Sequence, residues 1–293
     1  MPKILTQKQV DQYNRDGFIA VKGVFTPDEV KELQNVTDEF VEKSREVATH
    51  TEVFDVDLKA GHSADTPKLR RIKDPHKHHA VYNRAMRNEK LLDIIEDLIG
   101  PNIRHHHTKL NNKAPGGGAQ VEWHTDWGFY PATNDDILEI GVAIDPMTIE
   151  NGALMVVPGS HKGPAYDHHE DGVFVGAVQM SDVDMDAAQS ILLEEGDVSI
   201  HHVRALHGSA PNMSQNSRRL LLMGYAAADA FPIGGFGDWT VWQSNMLRGE
   251  GSNVPRFNGA PVRVAEPRPD NKGSIFEIQE ELSMTHFEEV KPT

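Results

Sequence analysis

The chain contains no cysteine, and this absence excludes a whole group of sites at once. Disulfide bonds, thiolate nucleophiles, iron–sulfur clusters and cysteine-type zinc sites all require that residue. A metal site in this chain must therefore be built from imidazole, carboxylate or both. The abundance of histidine, 16 residues in all, provides candidates for such a site.

Positive charge and long apolar runs are also scarce. There are 29 Lys and Arg residues against 44 Asp and Glu residues in a chain of 293, which gives a formal net charge of -15. A nucleic-acid partner is not expected, because phosphate binding needs a basic face. No run approaches the ~18 apolar residues of a membrane helix, and the first residues lack the apolar stretch of a signal peptide. We therefore expect no membrane partner and a cytoplasmic location; the sequence gives no indication of the oligomeric state.

Helical patterns occupy the first third of the chain, and strand patterns follow. A capped start at Thr26 predicts a helix that runs to about Val47, and a second helix is predicted over roughly 88–99. From Ile103 onward, short apolar or alternating runs separated by turn sequences predict many short strands, as in a sandwich or barrel. We predict one domain over 1–293, with a helical flank at about 1–100, a barrel core at about 101–230 and a C-terminal extension at 231–293.

The sequence Trp123-His124-Thr125-Asp126 contains a candidate pair of metal ligands. Residues i and i+2 of a strand point to the same face, so on a strand His124 and Asp126 would project side by side. A third ligand must come from a distant strand, and His207 is the obvious candidate. Two histidines and one carboxylate form the facial triad of non-haem Fe(II) oxygenases. The alternative is that His207 is a strand-end histidine bonded to a backbone carbonyl.

Further segments accompany this triplet in a definite order. Residues 150–161 read Glu-Asn-Gly-Ala-Leu-Met-Val-Val-Pro-Gly-Ser-His, Gly196-Asp197 follows, and His207-Gly208-Ser209 leads to Asn212 and Arg218. In this order and spacing, across roughly residues 100–227, the chain resembles the phytanoyl-CoA dioxygenase family of Fe(II)/2-oxoglutarate-dependent oxygenases. The resemblance implies a mainly β fold, a double-stranded β-helix (a jelly-roll or cupin-like barrel) with flanking N-terminal α-helices.

The resemblance also implies roles for individual residues. By it, the Fe(II) ligands are His124, Asp126 and His207. Arg218 then binds the distal carboxylate of 2-oxoglutarate, for which a guanidinium offers two parallel hydrogen bonds, and Ser209 supports the same carboxylate. Neighbouring strand residues face opposite ways, so Arg219 is expected at the surface, although a bulge would exchange the two arginines.

The predicted strand at 103–111 carries an unusually polar face. Alternation splits its residues into one face with His105, His107, Lys109 and Asn111 and another with His106 and Thr108. Buried polar groups are costly unless they have partners, so a pocket explains the first face better than an apolar core does. We expect Lys109 and Asn111 to contact 2-oxoglutarate or the substrate, and His107 to contact the substrate.

Two further groups of residues are candidates for substrate binding. Arg70, Arg71 and Lys73 form a basic cluster in an acidic chain, and we expect either a solvated face or a segment that holds an anionic substrate. Trp127, which follows the metal-binding triplet, is expected at the mouth of the barrel, as a substrate contact or as ordinary packing.

The presence of Asp126 bears on the type of reaction. Halogenating members of the family carry Gly or Ala at this position, which leaves room for chloride. The resemblance therefore implies hydroxylation, or a related two-electron oxidation, with O₂ and 2-oxoglutarate as co-substrates and succinate and CO₂ as products. The family's targets vary widely, and we expect a small polar or anionic metabolite as the substrate here. No catalytic residue beyond the metal ligands is predicted. Two other functions stay open: a cupin-like barrel that binds metal or ligand without redox turnover, and a metal-dependent isomerase or hydrolase.

Overall fold

The computed structural model of the chain describes residues 2–179, 181, 183–269 and 273–287. Its helices are α1 (Gln7–Asp16), α2 (Pro27–Lys43), α3 (Pro75–His78), α4 (Ala80–Met86), α5 (Glu89–Ile99), α6 (Trp239–Ser244) and α7 (Ile275–Ile278). Its strands are β1 (Phe18–Val21), β2 (Phe54–Val56), β3 (Leu69–Lys73), β4 (Ile103–Lys113), β5 (Val121–His124), β6 (Ile137–Ala143), β7 (Met155–Val156), β8 (His169–Glu170), β9 (Val173–Phe174), β10 (Gln189–Ser190), β11 (Val198–His202), β12 (His207–Ser209), β13 (Arg218–Ala227) and β14 (Met246–Arg248).

The first long helix, α2, begins as the sequence predicts and ends earlier. The Thr26 hydroxyl accepts a hydrogen bond from the backbone N–H of Glu29, and the Glu29 carboxylate accepts one from the backbone N–H of Thr26, which completes a capping box. The helix stops at Lys43 and passes into a 3-10 turn at Ser44–Glu46, short of the predicted end at Val47. Within the described ranges, no helix combines the length and the apolar character needed to cross a bilayer.

The described strands form two antiparallel sheets and a two-stranded ribbon. The large sheet has the order β1-β11-β6-β13-β4-β3-β2, with β14 beside β4, and the small sheet has the order β10-β7-β12-β5. Strands β1, β2 and β3 come from the predicted helical flank and β14 from the predicted extension, so the large sheet reaches beyond the predicted core. That the chain is one domain stays a prediction.

Apolar side chains form one layer on each face of the large sheet. Leu221 of β13 belongs to the layer shared with the helices, which includes Leu91 and Ile94 of α5. Its neighbour Leu220 belongs to the layer shared with the small sheet, which includes Val156 of β7. Adjacent strand residues point to opposite faces, so β13 serves both layers. The polar residues that line the cavity described below come from strands of both sheets.

Candidate metal centre and active site

His124 and His207 lie opposite each other on neighbouring strands of the small sheet. His124 is the last residue of β5, His207 is the first of β12, and the two are direct partners in the antiparallel pairing. Asp126 does not continue β5 but begins a 3-10 turn, so the prediction that it shares a strand with His124 is wrong. The turn nevertheless brings its carboxylate to the imidazoles. One ligand atom from each residue lies within 4.8 Å of the others, and all three residues are buried.

Backbone carbonyls orient both imidazoles toward Asp126. Nδ1 of His124 lies 2.7 Å from the carbonyl oxygen of Glu122, and Nδ1 of His207 lies 2.9 Å from that of Ala205. Each Nδ1 therefore carries the hydrogen, which leaves a lone pair on Nε2. The two Nε2 atoms lie 4.0 Å and 3.8 Å from the Asp126 oxygens. This donor set fits Fe(II) or a similar ion, and the carbonyl partners are those that metal-binding histidines commonly have.

The protonation states also suit a metal. Burial lowers the pKa of His124 to about 4 and that of His207 well below its usual value. Burial alone would raise the pKa of Asp126, but Lys109 and the surrounding histidines outweigh it and hold that pKa well below the usual range. At neutral pH both imidazoles are thus neutral and the carboxylate is ionised, as metal binding requires.

A pair of buried cations lies in the same cavity. Arg218 of β13 and Lys113 of β4 face each other across the sheet, and both line the cavity that contains the triad. The ammonium of Lys113 donates to the hydroxyl of Ser209 at 2.8 Å, and Arg218 donates to the carbonyl of Gly152 at 2.5 Å. Neither cation has a carboxylate partner among the residues that the structure describes. An anion from a ligand would compensate both charges.

Arg219 points away from this cavity. Its guanidinium binds Asp145 through two hydrogen bonds, of 2.8 Å and 2.6 Å, and also contacts Asp38 at 2.6 Å. The strand alternation thus separates the two arginines as the sequence predicts. Arg219 is not simply a surface charge, however, because its side chain is only 13% exposed.

A β-bulge changes the expected faces of β4. The register against β13 shifts between Gly224 and Tyr225, so that His106 is an extra residue in β4. The rings of His106 and His107 therefore both contact Tyr130, with centroids 4.8 Å and 5.1 Å away. The ring of His105 instead packs against His76, on the side of the helices. The predicted grouping of His105 with His107 is wrong, because the bulge reverses the alternation at this point.

Beyond the bulge, the expected polar face is present. The ammonium of Lys109 lies 3.9 Å from a carboxylate oxygen of Asp126 and 3.9 Å from one of Glu139. Nε2 of His107 lies 3.0 Å from the other oxygen of Glu139. Asn111 accepts a hydrogen bond of 3.1 Å from Nε of Arg71. Lys109, Asn111 and Glu139 line the same cavity as the donor set.

The basic segment of β3 is not a solvated face. Arg70 is buried and donates a hydrogen bond of 3.0 Å from Nε to Oδ1 of Asp55, and its Nη2 lies 2.8 Å from the same oxygen, so its charge is compensated within the fold. Arg71 and Lys73 bond to neutral oxygens, those of Asn111 and of the Thr51 backbone. Both line a second cavity of about 300 Å³, which reaches Asp126.

Trp127 does not line either of these cavities, and the prediction of a substrate contact is corrected. Its ring is buried in an apolar cluster with Ile137 and Val203, and its indole N–H donates to the carbonyl of Pro261 at 2.8 Å. The 3-10 turn that begins at Asp126 sends this side chain outward from the donor set. The alternative interpretation, packing under a loop, describes its position.

Several residues of the site were not found from the sequence. Lys113 continues the alternation from Lys109 and Asn111, so the pattern could have included it. Glu139 lies in an otherwise apolar strand, where a buried carboxylate is itself a signal. Phe276 left no signal: it comes from the C-terminal segment, and its ring stacks 4.6 Å and 4.9 Å from the guanidinium groups of the two β3 arginines.

Comparison with known sequences extends these observations. The profile of the phytanoyl-CoA dioxygenase family matches residues 13–220. The chain is 38% identical over 286 residues to a probable alpha-ketoglutarate-dependent hypophosphite dioxygenase of Stutzerimonas stutzeri, covering 96% of this chain and 99% of the relative. It is 26% identical over 240 residues to the peroxisomal phytanoyl-CoA dioxygenase of Homo sapiens, covering 78% of this chain and 71% of the relative.

Solved structures agree in fold. The structure of EctD from S. alaskensis with bound Fe superposes with a TM-score of 0.67 at 21% identity, covering 89% of this chain and 88% of EctD. The structure of the same protein with 2-oxoglutarate and 5-hydroxyectoine gives a TM-score of 0.63 at 22% identity, over 90% of this chain and 88% of EctD. The predicted jelly-roll barrel with flanking helices is confirmed.

Proposed function

This chain belongs to the phytanoyl-CoA dioxygenase family, and from that premise we propose that it is an Fe(II)- and 2-oxoglutarate-dependent dioxygenase that hydroxylates a small anionic metabolite. One observation carries the proposal: a His–Asp–His donor set shares a cavity with two buried cations that lack carboxylate partners in the described part of the chain. A metal alone would explain the donor set, whereas an anionic ligand would compensate the charge of the two cations. The overall reaction converts substrate, 2-oxoglutarate and O₂ into hydroxylated substrate, succinate and CO₂.

In this proposal His124, Asp126 and His207 would hold Fe(II). The bound iron would supply O₂ activation, for which oxidative decarboxylation of 2-oxoglutarate provides two electrons. The chain itself keeps both imidazoles oriented through their Nδ1–H bonds to backbone carbonyls. It also excludes water, because all three side chains are buried between the sheets.

The proposed binding site for 2-oxoglutarate lies beside Arg218. Its guanidinium would bind the distal carboxylate, with the hydroxyl of Ser209 as a further partner. Lys113 joins this set, since its ammonium already donates to Ser209. The two cations together predict a preference for a dicarboxylate over a simple oxoacid. Lys109 and Asn111, which line the same cavity near Asp126, would contact either 2-oxoglutarate or the substrate.

The substrate would occupy the second cavity. Its lining has four cationic side chains and two carboxylates, of which Asp74 is already bonded to Lys77 and Asp126 belongs to the donor set; the cations are Arg71, Lys73, Lys109 and Arg268. The excess of positive charge favours a compact anion, with His107 as a further contact. Since the relative that is 38% identical to this chain is named a probable hypophosphite dioxygenase, a small oxyanion of phosphorus is the proposed substrate class. Arg70 would not bind the substrate, because Asp55 already compensates its charge; it would stabilise β3, which carries Arg71 and Lys73.

Succinate formation tests the proposal. Purified protein with Fe(II), ascorbate, O₂ and 2-oxoglutarate should produce succinate slowly, and hypophosphite should increase the rate with formation of equal amounts of phosphite. Ectoine and phytanoyl-CoA serve as comparison substrates. No succinate under any condition would contradict the proposal and favour a barrel that only binds its ligand, or an isomerase or hydrolase. We further propose a cytoplasmic location, where 2-oxoglutarate is produced and used; cell fractionation tests it.

A further inference from the structure

His201 contacts two of the three members of the donor set, although the proposed reaction gives it no role. Its Nε2 lies 3.2 Å from Oδ2 of Asp126, and its ring centroid lies 4.4 Å from that of His207. The residue is only 1% exposed. An ionised carboxylate can only accept hydrogen bonds, so Nε2 carries the hydrogen and donates to Asp126.

The large sheet determines the direction of this ring. His201 lies in β11 between β1 and β6, opposite Phe18 on one side and Glu139 on the other. Its neighbour His202 points to the other face, where its ring meets Tyr13. Nδ1 of His201 is buried and has no hydrogen-bond partner in the described part of the chain. The bond to Asp126 is therefore the interaction that accounts for a polar ring at this position.

A second donor holds the carboxylate from its other end. The hydroxyl of Tyr130 donates to Oδ1 of Asp126 at 2.7 Å. Oδ1 faces Nε2 of His124, and Oδ2 faces Nε2 of His207. With a donor at each oxygen, rotation of the carboxylate about its Cβ–Cγ bond would break at least one hydrogen bond.

We propose that His201 is a positioning residue for the metal centre, whose Nε2–H fixes the rotation of the Asp126 carboxylate. A carboxylate that rotates freely can chelate an ion with both oxygens, which would occupy a position that the co-substrates need. A carboxylate held in one orientation, by His201 at Oδ2 and by Tyr130 at Oδ1, cannot rotate into that chelating position. This inference rests on the proposed function only in taking the donor set as a metal site.

Binding of Co(II) to the full-length, metal-free protein tests the inference. Co(II) accepts the same nitrogen and oxygen ligands, and its visible spectrum reports its coordination number. His201→Phe keeps a ring of similar size but removes the donor, whereas His201→Gln restores an N–H. We expect the Phe variant to lose about 10- to 100-fold in Co(II) affinity and to change the Co(II) spectrum, as for other partners of metal ligands. The Gln variant should recover most of the affinity.

His105→Phe provides a matched control. It makes the same exchange at a buried histidine of the large sheet whose ring contacts His76 and not the donor set. Co(II) affinity should equal that of the wild type. If His201→Phe fails to fold, as judged by circular dichroism, His201→Asn replaces it, since its amide is too short to reach Asp126.

Two outcomes would overturn the inference: unchanged Co(II) affinity and spectrum in the variant without the donor, or equal losses in the Phe and Gln variants. The second would show that ring packing, and not the hydrogen bond, matters. The measurement needs neither O₂ nor 2-oxoglutarate. A protein that binds Co(II) as expected but never forms succinate would contradict the proposed function and leave the role of His201 intact.

Discussion

Arg218 and Lys113 lie directly opposite each other on β13 and β4, and both side chains are buried on the same side of the sheet. Burial lowers the pKa of Arg218 to about 10, and burial together with Arg218 lowers the pKa of Lys113 well below its usual value. Two buried like charges repel each other and lose hydration, so the pair is costly until an anion joins it. The pair therefore marks the part of the cavity where a carboxylate would bind most favourably.

This arrangement predicts a large effect of Arg218→Lys on the co-substrate. Lysine keeps the charge but loses the paired N–H groups, so the KM for 2-oxoglutarate should rise by the equivalent of about 1–3 kcal/mol. Steady-state succinate formation at varied 2-oxoglutarate measures it. Arg219→Lys is the control, since its partners Asp145 and Asp38 lie outside the cavity. A larger effect of Arg219→Lys would reverse the assignment of the two arginines.

Replacing a proposed metal ligand should abolish turnover without unfolding the sheets. We expect His207→Ala, like His124→Ala and Asp126→Ala, to lose Fe(II)-dependent succinate formation while circular dichroism stays that of a β protein. The reason is that two remaining ligands cannot hold the ion in an open facial site. Turnover that survives in His207→Ala would move the third ligand to another histidine, with His201 the first candidate.

Metal should also stabilise the folded chain. An ion present at a hundred times its Kd adds about 2.7 kcal/mol to the free energy of unfolding when it binds the native state alone. Thermal melting with Co(II), and again after EDTA, measures this difference. Asp126→Ala should melt at the same temperature under both conditions. A shift of equal size in that variant would mean that the ion binds elsewhere.

Because the second cavity is assigned to the substrate, changes in its lining should affect turnover of the substrate more than succinate formation in its absence. The double change Arg71→Gln with Lys73→Gln should raise the KM for the anionic substrate, because it removes two cations that line the cavity without an acidic hydrogen-bond partner in the described structure. Succinate formation without substrate should change far less, since the donor set is intact. Lys109→Met is less selective, because its ammonium also lies near Asp126. Equal losses in both assays would contradict the assignment of this cavity to the substrate.

Arg70 should affect stability more than substrate binding. Arg70→Met leaves the buried carboxylate of Asp55 without its charged partner, which should cost about 3–5 kcal/mol of unfolding free energy. Burial would raise the pKa of Asp55, but Arg70 and its neighbours outweigh burial and lower it. Because the pKa of Asp55 is lower in the folded state, its carboxylate adds to the free energy of unfolding above the unfolded pKa of about 4. This contribution is lost as the pH falls from there through the folded pKa. Urea unfolding at neutral and acid pH measures both effects, and exposed Arg15→Met, beside Asp16, should change little.

The sequence by itself determined the residues of the donor set and the choice between adjacent arginines. His124, Asp126, His207 and Arg218 stand in an ordered series of short motifs, and strand alternation is a local rule that holds wherever the ladder is regular. The start of α2 could also be predicted from the sequence, because a capping box involves residues only three positions apart.

Only the tertiary structure decided the rest, because it depends on contacts between residues far apart in the chain. The bulge at His106 is a property of the pairing between β4 and β13, so alternation counted along one strand misplaced His105. Arg70 and Arg71 have the same charge and are neighbours, yet Asp55 from β2 compensates only the first by hydrogen bonds. The contact of His201 with Asp126 spans 75 residues, and two strands and a turn must meet before it exists. Local sequence patterns specify local geometry, whereas the partners of a buried charge are selected when the sheets pack together.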